Sequence, residues 1–343
     1  MIRNTLLCTF IFAAVSFAQT VTYIPKHDEL KYTFGGHAPV MHLRPGTTLV
    51  SWSEDCFDGA VKKPTDLPSK VAPIGHDNPQ TGPFYIDGAV PGDILAVHIV
   101  HLEPARDYAV SSAYPGFGTL TNTDYTATLN PPLPEKVWWY TVDKAKGTAS
   151  TKLGDRTLEI PIHPFFGCIA TAPQRSEVRW TVTPEAWGGN MDAYMIKDGA
   201  TVYLPVNVEG GLLYFGDGHL AQGEGEIIGT ALEAALNVKI KVDLIKGKSI
   251  GWPRIENDDY IMTTGSYRPL EDAFRIAYKE MVTWLVDQYG FEMMDAYQLC
   301  SQVGEVDVVQ VVDTNYTVVA KIPKKYLPAV QAFGGMHQKL KTN

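Results

Sequence analysis

Three stretches of the chain share one layout, a Pro-Gly or Asp-Gly turn running straight into a β-rich segment. Arg44-Pro45-Gly46-Thr47 opens residues 48–52, Val90-Pro91-Gly92-Asp93 opens 94–99, and Lys197-Asp198-Gly199 opens 200–206. Proline presets φ at the second turn position and glycine accepts a positive φ at the third, so each turn hands over to a strand. With 30 glycines, 23 prolines and 17 tyrosines in 343 residues, the chain must turn often between short strands. The recurrence describes hairpins and is too weak to establish duplicated domains.

Other segments agree. Residues 239–245 alternate polar and apolar, as a half-buried strand does. Residues 308–312 and 317–322 read as a strand pair around a turn at Asp313-Thr314-Asn315. Residues 270–288 break the pattern: Phe274, Ala277, Tyr278, Met281, Leu285 and Val286 fall at the spacing of one helix face. Glu271 and Asp272 suit the start of that helix, and Gly290 its end. Residues 230–236 have helical composition but run at once into a strand, and stay ambiguous. Residues 106–155, with Pro115, Pro131, Pro132 and Pro134, look loop-rich and mark a soft internal boundary. The expected fold class is mostly β (α+β), with one long amphipathic helix near the C-terminus.

Hydrophobic residues at 45% and charged residues at 20% exclude a disordered or collagen-like chain. Lys+Arg 29 against Asp+Glu 38 gives a net charge of −9 without a basic run, so nucleic acid is not an expected partner. Arg3, the apolar run from Leu6 to Val15 and the small residues Ser16 and Ala18 form the three parts of a secretory signal peptide. Residues 1–18 are therefore expected to be removed, leaving Gln19 first in a secreted or periplasmic protein that makes no membrane contact after cleavage. Residues 19–343 then form the folded domain. The remaining cysteines, Cys56, Cys168 and Cys300, are odd in number and widely spaced. That is no disulfide framework.

Polar residues concentrate where the glycines do. The densest group runs from Gly216-Asp217-Gly218-His219 through Gly223-Glu224-Gly225-Glu226, just after the apolar residues 212–215. Its glycines let the backbone fold tightly enough for carboxylates and an imidazole to converge. Asp217 and His219 suit a zinc ion, and a free carboxylate could serve as a base toward water. A solvated acidic turn explains the same residues equally well. Further candidates are Ser53-Glu54-Asp55-Cys56-Phe57-Asp58-Gly59, the pair His98 and His101, His163 among apolar neighbours, and Trp187-Gly188-Gly189-Asn190-Met191-Asp192. His98 and His101 lie three apart on a strand, so at most one faces a given site. The chain has no Gly-x-Ser-x-Gly elbow, phosphate loop or dinucleotide fingerprint.

Taken in order, these motifs resemble the acetamidase/formamidase family. The resemblance is carried by Asp55-Cys56-Phe57, Thr81-Gly82-Pro83-Phe84-Tyr85-Ile86-Asp87-Gly88-Ala89, Pro91-Gly92-Asp93, His163-Pro164-Phe165-Phe166-Gly167 and Gly188-Gly189-Asn190-Met191-Asp192. It is strongest from Leu204-Pro205-Val206 through Gly216-Asp217-Gly218-His219 and Gly223-Glu224-Gly225-Glu226 to Val242-Asp243-Leu244-Ile245-Lys246-Gly247. It covers about residues 25 to 325.

The resemblance implies a β-rich catalytic domain that hydrolyses a small amide of the formamide or acetamide type to carboxylate and ammonia. It also implies a divalent metal, expected to be zinc, with extra carboxylates able to hold a second ion such as calcium. By motif position, Asp55, Asp217 and His219 are carried over as metal ligands, with His98 where many members carry an acidic residue. His163, Asn190 and Asp192 are expected to meet substrate. Glu226 is assigned the general base and acid, with Glu224 the competing carboxylate. The chain is expected to act as a homo-oligomer. Two other readings remain open: a secreted binding protein of the same fold, and a hydrolase of another C–N bond, such as a ureide or a larger amide.

Overall fold

A computed structural model describes residues 19–73, 75–120 and 133–342. The expected leader, residues 1–18, lies outside the described residues. The chain is mostly β, as its turns predict. A nine-stranded sheet runs in the order Thr20–Thr22, Thr47–Ser53, Leu236–Ile245, Ile94–Pro104, Thr201–Pro205, Arg254–Glu256, Tyr260–Tyr267, Tyr316–Pro323, Glu305–Gln310. A five-stranded sheet runs Gly188–Asn190, Phe165–Ala170, Leu213–His219, Gln80–Ile86, Met41–Leu43.

Ile94–Pro104 shows how the layers form. Its odd residues Leu95, Val97 and Ile99 pack with Phe84, Phe166, Ile169 and Phe215 of the five-stranded sheet. Its even residues Ile94 and Ala96 pack with Met281, Trp284 and Leu285 of a helix. A strand buried on both faces needs a near-continuous apolar run, and residues 94–97 supply one. The nine-stranded sheet is therefore the middle layer, with sheet on one side and helices on the other.

The long helix spans Leu270–Tyr289 and ends where Gly290 takes a left-handed φ of 73°, its N–H returning to the carbonyls of Leu285 and Val286. Its buried residues include Ala273, Ala277, Met281, Trp284 and Leu285. Phe274, expected on that face, is 42% exposed instead. The strand pair around Asp313 is present, as Glu305–Gln310 against Tyr316–Pro323. The ambiguous residues 230–236 carry no helix; Leu236 opens a strand.

Two expectations change. The stretch 106–155 is not loop-rich among its described residues: it holds strands Tyr108–Ala113, Lys136–Asp143 and Thr148–Leu153, joined with Arg156–Pro161 in a four-stranded sheet. Tyr140, Val142 and Ala149 from it join the same apolar cluster as Leu49 and Val319. The glycine-rich segment after residue 215 is not a turn at first, because the strand Leu213–His219 continues through Asp217 and His219. The three cysteines among the described residues are free and buried. No helix of the described residues is long and apolar enough to cross a membrane.

Candidate active site

Leu213–His219 delivers two of the expected residues. Phe165 pairs with His219 and Phe166 with Gly218 across the neighbouring strand. A side chain at Gly167, on that same strand, would come within 2.4 Å of Asp217 Oδ2, 2.8 Å of Asp192 Oδ1 and 2.8 Å of His219 Cε1. Three of the candidate side chains thus converge on the space that Gly167 leaves open. Gly218 serves the other side: a Cβ there would meet the Ala234 carbonyl at 2.4 Å. Its absence lets residues 230–236 lie close and brings Glu233 against His219.

His219 is 1% exposed and fixed in orientation. Gln222 Nε2 donates to the carbonyls of Asp192 (2.9 Å) and Val309 (2.8 Å), so Gln222 Oε1 must be the atom 3.0 Å from His219 Nδ1. Nδ1 therefore carries a proton and donates it. Nε2 faces Asp217 Oδ1 at 3.3 Å and Glu233 Oε2 at 3.2 Å. Neither oxygen receives a hydrogen bond, nor does either oxygen of Asp192, although all are buried. A neutral Nε2 would point its lone pair at two anions. The arrangement calls for a proton between Nε2 and a carboxylate, or for a cation beside them. Burial disfavours the charged ring, but Glu233 and Asp217 outweigh it and hold His219 well above the usual histidine value.

Two triads of potential ligand atoms follow. Asp192, His219 and Glu226 form one, with all three atoms within 4.8 Å of one another; Cys56, Asp217 and Glu233 form the other to the same limit. Burial, together with neighbouring carboxylates, pushes Asp192 and Glu226 well above their ordinary values, and raises Glu233 as well. Asp313 is pushed up to about 7, chiefly by burial. Mutual repulsion of this kind is what a bound cation relieves, and the donor set suits one. Backbone strain collects at the same place: Asp192, Asp217 and Glu226 have φ of 50°, 56° and 47°. Side chains other than glycine rarely adopt that region.

The other expected residues divide. Asn190 is buried and held from three sides, accepting from Asn78 Nδ2 (2.8 Å) and the Cys168 thiol (2.8 Å) and donating to Asp313 Oδ2 (2.7 Å). Asp55 stands near the cluster with both oxygens engaged. Oδ2 takes a 2.7 Å bond from Arg106, and Oδ1 caps the N–H groups of Phe57 and Gly59. Its neighbour Cys56 offers the potential ligand atom instead. Burial, then Glu233 and Asp217, push the Cys56 thiol well above its ordinary value, and Cys168 is raised likewise. Neither thiol is poised as a free nucleophile.

His98 is not brought to the cluster. It lies on the helix-facing side of the middle sheet, hydrogen-bonded to Thr201 Oγ1 at 2.9 Å, with His337 on the far side of that hydroxyl at 2.8 Å. The physical reason is strand parity, since His98 follows Ile94 and Ala96 rather than Leu95 and Val97.

Glu224 and Glu226 separate cleanly. Glu226 is buried, whereas Glu224 is exposed and takes a 2.9 Å bond from Tyr194 Oη. Both line a cavity of about 600 Å³, together with Gln222 and the exposed His163 and Lys197. Of the six side chains in the two triads, Glu226 is the one that also lines this cavity. Glu233, Asp313, Gln222 and Asn78 join the site without having stood out in the sequence as candidates. Glu233 had one legible signal, a lone charge among Ala231, Leu232, Ala234, Ala235 and Leu236.

The chain is similar to known proteins over most of its length. The model of the Acetamidase/Formamidase family matches residues 174–327. The crystal structure of an acetamidase from Yersinia enterocolitica is 41% identical with a TM-score of 0.85, over 92% of this chain and 95% of that one. An acetamidase from Bacillus halodurans is 29% identical with a TM-score of 0.79, over 89% of this chain and 98% of that one. A formamidase from Methylophilus methylotrophus is 29% identical over 208 residues, 48% of this chain, and the match spans about half (51%) of that protein's length. With its motifs in order, its fold matched nearly end to end and an identity of 41% to one member, the chain belongs to the acetamidase/formamidase family.

Proposed function

We propose that this protein hydrolyses a small linear amide to carboxylate and ammonia, with water as nucleophile and a divalent cation, zinc, as cofactor. The observation that carries the reading is the position of Glu226, shared between the cavity and the buried triad of Asp192, His219 and Glu226. Asp192 and His219 would hold the cation, and Cys56, Asp217 and Glu233 would hold a second ion. The bound cation would supply Lewis-acid polarisation of the amide carbonyl and a lower pKa for water.

The chain's own residues do the rest. An amide resists attack because its nitrogen donates into the carbonyl and leaves poorly. A group that removes a proton from water and returns it to the departing nitrogen addresses both problems. Burial raises Glu226 well above the ordinary carboxylate value, so it holds a proton more readily than an exposed carboxylate does. Gln222 keeps the Nε2 lone pair of His219 directed into the cluster. Asn190, fixed by three partners, cannot rotate away. Glu224 and His163 line the same cavity and are exposed, placed to meet incoming substrate.

Ammonia release from formamide and acetamide by the purified protein tests this reading. Release should fall on exhaustive chelation and return with zinc; full activity in metal-free protein would refute it. We also infer export, from Arg3, the apolar run and Ser16-Phe17-Ala18. Native protein should begin at Gln19, and an intact Met1 on cytoplasmic protein would refute that.

A further inference from the structure

The cavity beside Glu226 is far larger than the smallest amides require. Formamide and acetamide have about three and four non-hydrogen atoms, whereas pockets of ~300–1,000 Å³ are those that enclose drug-sized ligands. The cavity here measures about 600 Å³. Its lining includes Glu226 and Gln222, the latter bonded to His219, and the exposed His163, Lys197 and Glu224. Its accessible apolar lining comes from the half-buried Ile160 and Ile228 and the exposed Ile227. An apolar wall binds by removing hydrocarbon from water, and formamide has none to offer.

We infer that the preferred substrate is a linear amide whose acyl chain runs several carbons beyond acetamide. This rests on the amide-hydrolase reading above. The carboxamide lies against Glu226 and the hydrocarbon lies along Ile160, Ile227 and Ile228. Hydrolysis follows the same balance whatever the chain length: the C–N bond breaks, water supplies the new C–O bond, and the nitrogen leaves as ammonia. Contacts along the walls add binding energy remote from the reacting carbonyl, which acetamide cannot supply.

The experiment is a kcat/KM series for ammonia release from acetamide, butanamide and hexanamide by the metal-loaded enzyme. The expected rise is about fourfold per methylene, the fold-change that ~0.8 kcal/mol per buried CH₂ corresponds to. A series that is flat or falls beyond acetamide overturns the inference while leaving amide hydrolysis standing. Ammonia from none of the three overturns the hydrolase reading, and this inference with it. Ile160→Trp narrows the cavity from the strand Arg156–Pro161, and should cut the hexanamide-to-acetamide ratio by about tenfold, in the range a pocket contact supplies. An unchanged ratio in a folded Ile160→Trp protein counts against the wall as the specificity element.

Discussion

Gln222 fixes the tautomer of His219. Its amide nitrogen is committed to two carbonyls, so its oxygen takes the Nδ1 proton at 3.0 Å and Nε2 is left to face Asp217 and Glu233. Such outer partners typically contribute ~10–100-fold to metal affinity. For the zinc proposed above, Gln222→Leu should lower affinity by that factor, with the fold retained, in a competitive chelator titration. Gln222→Glu keeps an acceptor for Nδ1 but loses both donors, so it should fall between the two. Equal affinity in all three proteins would remove Gln222 from the account.

A second prediction concerns Arg106. It donates to Asp55 Oδ2 and to Glu54 Oε2, both at 2.7 Å, and the two carboxylate side chains are only 6% and 5% exposed. Burial, then Glu54, push Asp55 up to about 7 even with Arg106 pulling it down. Arg106→Met leaves two buried carboxylates without their cation. Breaking such a pair from one side costs ~3–5 kcal/mol when fully buried, and Arg106 is 25% exposed, so roughly 2–4 kcal/mol is expected from urea unfolding. A loss below about 0.5 kcal/mol, as for a surface ion pair, would show that the clamp is not structural.

What could be read from sequence followed local signals. The helix Leu270–Tyr289 and the strand Leu236–Ile245 announce themselves by period, and Asp217, His219 and Glu226 by density within one segment. What could not be read depends on long-range register. Glu233 meets His219 only because Gly218 admits residues 230–236, and Asp313 reaches Asn190 across 123 residues. Arg106 lies 51 residues from the Asp55 it neutralises. His98 is carried over by motif position, and residues 94–97, apolar on both faces, offer no alternation to show which side it takes.

That placement of His98 has its own consequence. Burial, then the charges of His337, Lys341 and Lys241, lower it to about 4 from an ordinary 6.5. The folded protein keeps it neutral while the unfolded chain takes up a proton near 6.5. Stability from this residue is therefore complete above pH 6.5 and is lost as pH falls toward 4. At ~1.4 kcal/mol per unit, the loss reaches roughly 2–3 kcal/mol near pH 4.5. In urea unfolding at pH 7.5 and 4.5, His98→Gln should lose less stability between the two than the native protein does. Identical losses would place the acid sensitivity elsewhere, His337 being the next residue to replace.

The central claim is that Glu226, not Glu224, moves the proton, because Glu226 alone of the two is buried with Asp192 and His219 at the cavity's edge. The direct measurement is steady-state ammonia release by Glu226→Gln and Glu224→Gln, each with its metal content determined. A general acid–base group typically contributes ~10²–10⁴-fold, so Glu226→Gln should lose turnover in that range while Glu224→Gln keeps most of it. Turnover abolished in Glu224→Gln and intact in metal-replete Glu226→Gln would contradict the account.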